Sequence, residues 1–361
     1  MKIKTFLKRS LVAVILLVAV LFTLVWFTTY HPAEVQDEKV TCPQETPTLQ
    51  SGQSIKVLTW NVQFMAGKNY TFWFDVPNSD GPDERPTSED ITATVLEVAR
   101  VIKAEKPDVV YLQEMDKDAA RTDYRDQLAE LLALVPEYTC YIQSYYWRTT
   151  YVPHPRIHGS MGLTLVTLSK YKIDAATRYQ LALPPADPLT QILGLKRAIL
   201  EARMPVNGAD DFYALNTHLD AFAQGSNTME LQVQEVDERI TALDQSGNAW
   251  VIGGDFNLLP PDDESFKRLE VSHQSYYNPQ SEIRLLYDRH NVIPSLEDAT
   301  GVDFAQWFTY VPNDPTIPFP DRTLDYLLYS ASLTLGKNYV RSSDTQKISD
   351  HLPLIATFVL P

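Results

Sequence analysis

Cysteine is nearly missing from this 361-residue chain, in which Cys42 and Cys140 are the only two. That excludes a disulfide-stapled scaffold and any zinc module built on several thiolates. Basic residues are also scarce, with 31 Lys and Arg against 46 Asp and Glu and a net charge of −15. Lys2, Lys4, Lys8 and Arg9 all lie at the N-terminus, so residues 10–361 carry −19. Such a chain lacks the electropositive cradle that neutralises long runs of phosphate, and no stable complex with nucleic acid is expected. Chemistry on a single phosphate is not excluded. No internal repeat of fixed period is present. Disorder is excluded for most of the chain by its 14 Phe, 19 Tyr and 6 Trp, while 24 prolines predict long loops.

Apolar length is abundant at the N-terminus. Residues 11–27 (LVAVILLVAVLFTLVWF) are uncharged and, as a helix rising 1.5 Å per residue, span roughly 26 Å, enough to cross a bilayer. Basic residues precede the run and acidic sequence follows it. This predicts a single-pass anchor in a lipid bilayer, with a cytoplasmic N-terminus and an extracytoplasmic body. A cleaved signal peptide competes, but the run exceeds the usual apolar core of one, and Phe27-Thr28-Thr29-Tyr30 lacks a small-x-small cleavage site. Residues 30–53 are polar, proline-bearing and aperiodic. They read as a flexible tether between the stub and anchor at 1–29 and a globular body at 54–361.

The body alternates short β-branched runs with helical stretches, an α/β pattern. Helices are expected at 91–105 and 123–135; strands at 55–60, 108–113, 162–168, 198–204, 212–216, 250–253, 324–329 and 352–359. Ile91, Val95, Val98 and Ile102 fall on one helical face, with Thr87 and Asp90 resembling a capping box and Pro107 just beyond the end. Met229, Val233, Val236, Ile240 and Leu243 form a second stripe. Residues 65–89 and 260–320 are rich in Pro, Asp and aromatics and are expected as functional rims or disordered loops.

Several strands run into a polar residue of the kind that binds metal or moves protons. KVLTW meets Asn61, VVYLQ meets Glu114, FYALNT meets His218, and WVIGG meets Asp255-Phe256-Asn257. Asp325 follows Thr323-Leu324, and Asp350-His351 precedes LPLIATF. Residues i and i+2 of an extended segment face the same way, so Asp255 and Asn257 can address one point. Such strand ends, gathered at one sheet edge, are where α/β enzymes place their sites. The mix of hard oxygens suits Mg²⁺; zinc fits poorly, because no His-x-x-His or cysteine pair exists.

The ordered set WN, LQE, NTHLD, GGDFN, LDY and SDH resembles the endonuclease/exonuclease/phosphatase superfamily over about residues 54–361. That superfamily includes deoxyribonuclease I, neutral sphingomyelinases and inositol polyphosphate 5-phosphatases. The resemblance implies a four-layered sandwich of two face-to-face mixed β-sheets flanked by helices, with a Mg²⁺-dependent phosphoesterase site that Mn²⁺ can also serve. It implies Glu114 as the chief metal ligand with Asn61 beside it and Asp350 in support. His351 is then the general base, oriented by Asp325, while Asp255 and Asn257 hold the nucleophile and the phosphate. His218 matches the nuclease and sphingomyelinase branches, where this histidine donates to phosphate oxygens. The chemistry asks for these types independently: a phosphodiester's anionic oxygens repel a nucleophile, so a site must neutralise charge and deprotonate water.

Arg197 can clamp a phosphate bidentately or be a solvated cation. His158, before a strand, reads either as a substrate contact or as a turn residue. Tyr138, Tyr141, Tyr145, Tyr146, Trp147 and Tyr151 are expected in core or cross-strand pairs rather than as a stacking platform. His31, His154, His273 and His290 are expected at the surface, and the loop at 67–70 is expected over the cleft. Cys42 and Cys140 can pair outside the cytoplasm, although Cys42 lies in the expected tether. Together these features predict a membrane-anchored phosphodiesterase, with a phospholipid or sphingomyelin-like headgroup favoured by the anchor. An extracytoplasmic nuclease on DNA or RNA, and an inactive binding module on the same fold, are the two rival readings.

Overall fold

The computed structural model describes residues 2–76, 79–221 and 223–361. The strands begin with β1 Val35–Asp37, β2 Val40–Thr41, β3 Leu49–Gln50, β4 Ser54–Asn61, β5 Val109–Asp116, β6 Cys140–Val152, β7 Gly159–Ser169 and β8 Ala175–Gln180. They continue with β9 Ala198–Met204, β10 Val206–Asn207, β11 Phe212–His218, β12 Ala249–Asp255, β13 Asn291–Ile293, β14 Asp325–Tyr329, β15 Thr334–Val340 and β16 Leu354–Val359. Helices α1 Lys2–Thr28, α2 Ser88–Glu105, α3 Gln127–Leu134, α4 Pro188–Leu193 and α5 Thr228–Gln245 precede several short ones between 263 and 300.

Period-two alternation builds the layers. On β4, Ile55 and Val57 point between the sheets while Leu58 and Trp60 join the cluster beneath α2 and α3. Val109 and Tyr111 against Val110 and Leu112 repeat this on β5, and Ala249 and Val251 against Trp250 and Ile252 on β12. Two mixed seven-stranded sheets, ordered β1-β8-β9-β11-β12-β14-β13 and β15-β16-β4-β5-β7-β6-β2, therefore pack face to face with helices outside. Within these two sheets the parallel pairs are β4 with β5 and β11 with β12, and β3 and β10 form a separate parallel pair.

Helix α2 forms where its stripe predicts. Thr87 accepts from the Asp90 amide at the start, and Lys106 turns left-handed at the end. Ile91, Val95, Val98 and Ile102 are buried against the sheet, each contributing roughly 1.5–3 kcal/mol. Strands β8 and β15 escape the hydrophobic reading because they are half-exposed and polar, and β6 because its aromatics fall on both faces.

Residues 30–53 depart from the tether expectation. β1 pairs with β8, β2 with β6 and β3 with β10, and Cys42 is disulfide-bonded to Cys140. The pairing is invisible in a polar, aperiodic sequence because strands of two or three residues are too short to show an alternation, even where one side chain, Leu49, is fully buried in the core. The disulfide closes a separation of 98 residues. Replacing Cys42 and Cys140 together by serine should therefore cost about 2–5 kcal/mol, read as a lower urea midpoint. Helix α1 is unburied, and its most apolar 18-residue window within Ile3–Thr28 has a mean hydropathy of 2.9, making the helix long and apolar enough to cross a membrane.

Candidate functional site

Strand register gathers the polar strand ends. His218 at the end of β11 lies opposite Asp255 at the end of β12, and Asp255 lies opposite Asp325 at the start of β14. On the facing sheet Asn61 closes β4 beside Gln113 of β5, and His351 precedes β16, which runs antiparallel to β4. The Gly253-Gly254 pair is a packing requirement: a Cβ on Gly254 would sit 1.9 Å from the Thr217 carbonyl, and one on Gly253 2.5 Å from Leu327. Glu114 reaches the site through a bulge. Leu112 pairs with Val166 and Met115 with Thr164, leaving two residues opposite one, with Glu114 at φ 59°. Gln113 and Glu114 consequently both turn inward, Gln113 to Asn216 at 2.7 Å and Glu114 to Asn61.

Asn61 joins two carboxylates, its Nδ2 donating to Glu114 Oε1 at 3.1 Å and Asp255 Oδ2 at 3.0 Å. Its Oδ1 accepts from the Gln63 amide at 3.0 Å, so as a metal ligand the amide would have to turn over. His351 Nδ1 donates to Asp325 Oδ2 at 2.7 Å, and its Nε2 lies 3.4 Å from Asp255 Oδ2. Burial opposes a charged ring, but Asp325, Asp255 and Asp350 outweigh it and lift His351 to about 10. His218 goes the other way: burial, then Arg197 and His351, push it well down and leave it neutral. Its Nε2 stands 3.3 Å from Asp255 Oδ2, and its Nδ1 lies 3.3 Å from the Tyr146 hydroxyl. Asp255 is raised to about 7 by burial and by Asp325. Asn257 lends its amide to Asp255 Oδ1 at 2.9 Å while its side chain donates to the Leu219 carbonyl.

Glu114, His218, Asp255, Asn257 and His351 line a cavity of about 560 Å³ together with Arg197, Asp350 and His158, while Asn61 and Asp325 hold these residues from outside its lining. Arg197 Nε donates to Asp220 at 3.4 Å, while its Nη1 is buried without a hydrogen-bond partner. His158 stands apart from the central cluster, exposed in the β6–β7 turn at φ 44°. Both expected rims line the cavity, the first through Trp73, Phe74 and Asp75 and the second through His273, Tyr277 and Tyr310. Lys68 ties them together by donating to the carbonyls of Val311 and Pro312.

His273 is not at the surface. It is buried between Asp314 at 3.2 Å and Arg322 at 3.0 Å, partners 41 and 49 residues away that no local pattern reveals. Three further residues at the site lay outside the sequence reading of it. Arg121 is paired with Asp116 and stacked on Phe64, Tyr146 touches His218, and the Tyr310 ring meets His351 edge-on at 4.9 Å. Only Tyr146 carried a signal, its place in the aromatic-rich run of β6.

The donor chemistry suits a divalent metal. Glu114 is raised by burial and by Asp350, Asp350 is raised by burial, and the neighbouring guanidiniums of Arg121 and Arg197 are already paired. The cluster thus holds more buried negative charge than its cations neutralise, on hard oxygen donors. Asp255, Asp325 and His351 also offer three ligand atoms within 4.8 Å of one another. The Nδ1 of His351 is committed to Asp325, which leaves Glu114 and Asp350 as the freer oxygens.

Comparison with known proteins follows the same lines. No curated protein matches the chain by sequence. An endonuclease/exonuclease/phosphatase from Beutenbergia cavernae shares the fold at TM-score 0.57 and 22% identity, over 85% of this chain and 72% of that one. The human Nocturnin catalytic domain with bound sulfate aligns at TM-score 0.53 and 17% identity, over 85% and 94%. TDP2 from C. elegans aligns at TM-score 0.51 and 18% identity, over 86% and 76%. The model of the Endonuclease/Exonuclease/phosphatase family matches residues 58–351, and with this fold and this polar edge the chain belongs to that family of phosphoester hydrolases.

Proposed function

We propose that the protein is a membrane-anchored phosphodiesterase whose cleft lies outside the cytoplasm, with Mg²⁺ as its metal and a lipid phosphodiester as its favoured substrate. The observation that carries the chemistry is the 2.7 Å Asp325–His351 pair aimed at Asp255, next to buried carboxylates short of positive charge. Glu114 and Asp350 would hold the cation, which would supply the positive charge that a phosphoryl group and its leaving oxygen require. Asp325 holds a proton on Nδ1 of His351, so once the ring gives up its second proton, which, against burial, Asp325, Asp255 and Asp350 retain up to about 10, Nε2 can accept one from water. Asn61 and the Asn257 amide hold Asp255 in place. The neutral His218 keeps its Nε2–H as a donor for a phosphoryl oxygen, and the unpartnered Nη1 of Arg197 is a second. The α1 anchor and the net charge of −15 favour a lipid over polymeric nucleic acid.

The test is a substrate panel for the full chain in mixed micelles: phospholipid and sphingomyelin-type diesters, DNA, RNA and phosphomonoesters, with Mg²⁺ or with EDTA. Lipid diester turnover that needs Mg²⁺ is expected. Dominant DNA or RNA cleavage would replace it by a nuclease, and no turnover anywhere would leave a binding module. A C-terminal reporter should be active only outside the cytoplasm, and the chain should fractionate with membranes; full-length protein in the soluble fraction would refute the anchor.

A further inference from the structure

We infer that the cleft wall formed by β6 and the β6–β7 turn rests on the bilayer surface, so that the cavity draws its phosphodiester from the headgroup layer of the membrane holding α1. This rests on the reading of α1 as a span and of the cavity as a phosphodiester site, and adds how the two are oriented.

The junction has no slack. Helix α1 ends at Thr28, Thr29 already forms a β-bridge with Thr149, and the Tyr30 amide donates to the Arg148 carbonyl at 3.1 Å. Consecutive Cα atoms are about 3.8 Å apart, so the body is met within about 8 Å of the helix end. The polar layer on each side of a bilayer is roughly 5–7 Å deep. Arg148 to Tyr151 therefore lie at or beside that layer at any helix tilt.

Side chains fasten the joint. The Tyr30 ring is 6.2 Å from that of Tyr145, and the buried Arg178 guanidinium lies 5.7 Å from the Tyr30 ring centroid. Arg148, Thr150 and Tyr151 are exposed along this edge, and Trp26 stacks on His31 at 3.9 Å within the joint. Aromatic and arginine side chains of this kind suit the membrane–water boundary. Trp147, next to Arg148, lines the cavity, as do Arg156, Ile157 and His158 of the following turn. One hairpin thus carries the anchor's contacts and one wall of the site.

The experiment places a single fluorophore-labelled cysteine at Tyr151→Cys or Ser246→Cys in the full chain, reconstituted in phosphatidylcholine–phosphatidylglycerol vesicles containing headgroup spin-labelled lipid. Cys42 and Cys140 are paired and do not label. Ser246 is exposed just before β12, at the opposite end of that strand from Asp255, roughly 20 Å away. Quenching at position 151 should exceed that at 246 at least threefold; equal quenching overturns the inference whatever the enzyme hydrolyses. A second variant inserts 20 Gly and Ser residues between Thr28 and Thr29. Hydrolysis of vesicle lipid should fall at least threefold, while a water-soluble diester, bis(p-nitrophenyl) phosphate, is turned over within twofold of the parent. Unchanged vesicle-lipid hydrolysis overturns the idea that the cavity feeds from the headgroup layer. Quenching as expected with no phosphodiester turned over would instead sink the functional reading and leave the placement standing.

Discussion

His351→Ala should lower kcat by roughly 10²–10⁴-fold, the usual worth of general-base help, with little change in substrate affinity. Among the described residues, His351 combines a carboxylate on Nδ1 with an Nε2 that faces the cluster. His218 lacks a carboxylate on its far nitrogen, since its Nδ1 faces the Tyr146 hydroxyl at 3.3 Å, and burial with Arg197 and His351 opposes its taking up a proton. Asp325→Asn should keep the fold and lose a large part of the same barrier, because an amide cannot stabilise the imidazolium formed as Nε2 takes the proton. The two side chains act through one hydrogen bond, so the double variant should be scarcely slower than His351→Ala. The sign of the pH effect follows from the same pair: a base must be unprotonated, and, against burial, Asp325, Asp255 and Asp350 raise His351 to about 10 in the metal-free protein, so the wild-type rate rises with pH through an imidazole ionisation displaced above its ordinary value near 6.5, and that limb disappears in His351→Ala. Single effects that multiply in the double variant would show two independent groups and end the assignment of a coupled base.

Glu114→Gln should weaken apparent Mg²⁺ affinity about tenfold or more, since one ionised oxygen ligand is lost. Thermal unfolding reads the same change without turnover. In the metal-free protein Glu114 is raised by burial and by Asp350, Asp350 by burial, and Asp255 to about 7 by burial and Asp325. Carboxyl groups raised in the folded state contribute stability below their unfolded pKa near 4 and lose it as pH climbs through the folded value. Metal-free protein should therefore lose stability between about pH 4 and 7, and saturating Mg²⁺ should restore it. Glu114→Gln should raise the metal-free Tm and shrink the Mg²⁺-dependent gain. An Mg²⁺ titration unchanged by the substitution would remove Glu114 from the metal site.

Much of the site could be read from the sequence, because each polar residue interrupts an apolar alternation at a strand end, and register then aligns His218, Asp255 and Asp325 across neighbouring strands. The bulge at Glu114 could not be read that way: strict alternation would turn either Gln113 or Glu114 away, and only the unpaired extra residue brings both inward. His273 was hidden for a different reason, since its burial depends on Asp314 from the far part of the same long rim and Arg322 from just beyond it. The α/β layers followed from periodicity in β4, β5, β12 and α2. The attachments of 30–53 did not, because backbone pairing over two or three residues leaves no mark on side-chain pattern.

Those attachments have a bearing on how the protein can be cut. β1 covers the free edge of β8, and β2 covers the free edge of β6. A fragment trimmed to begin at residue 54 would bare two rows of unpaired backbone amides and carbonyls, one on each sheet, and would leave Cys140 as a lone thiol. Bare strand edges recruit strands from other molecules. The short N-terminal strands are thus edge guards for both sheets, and a soluble form that stays monomeric has to start no later than the residues that form β1.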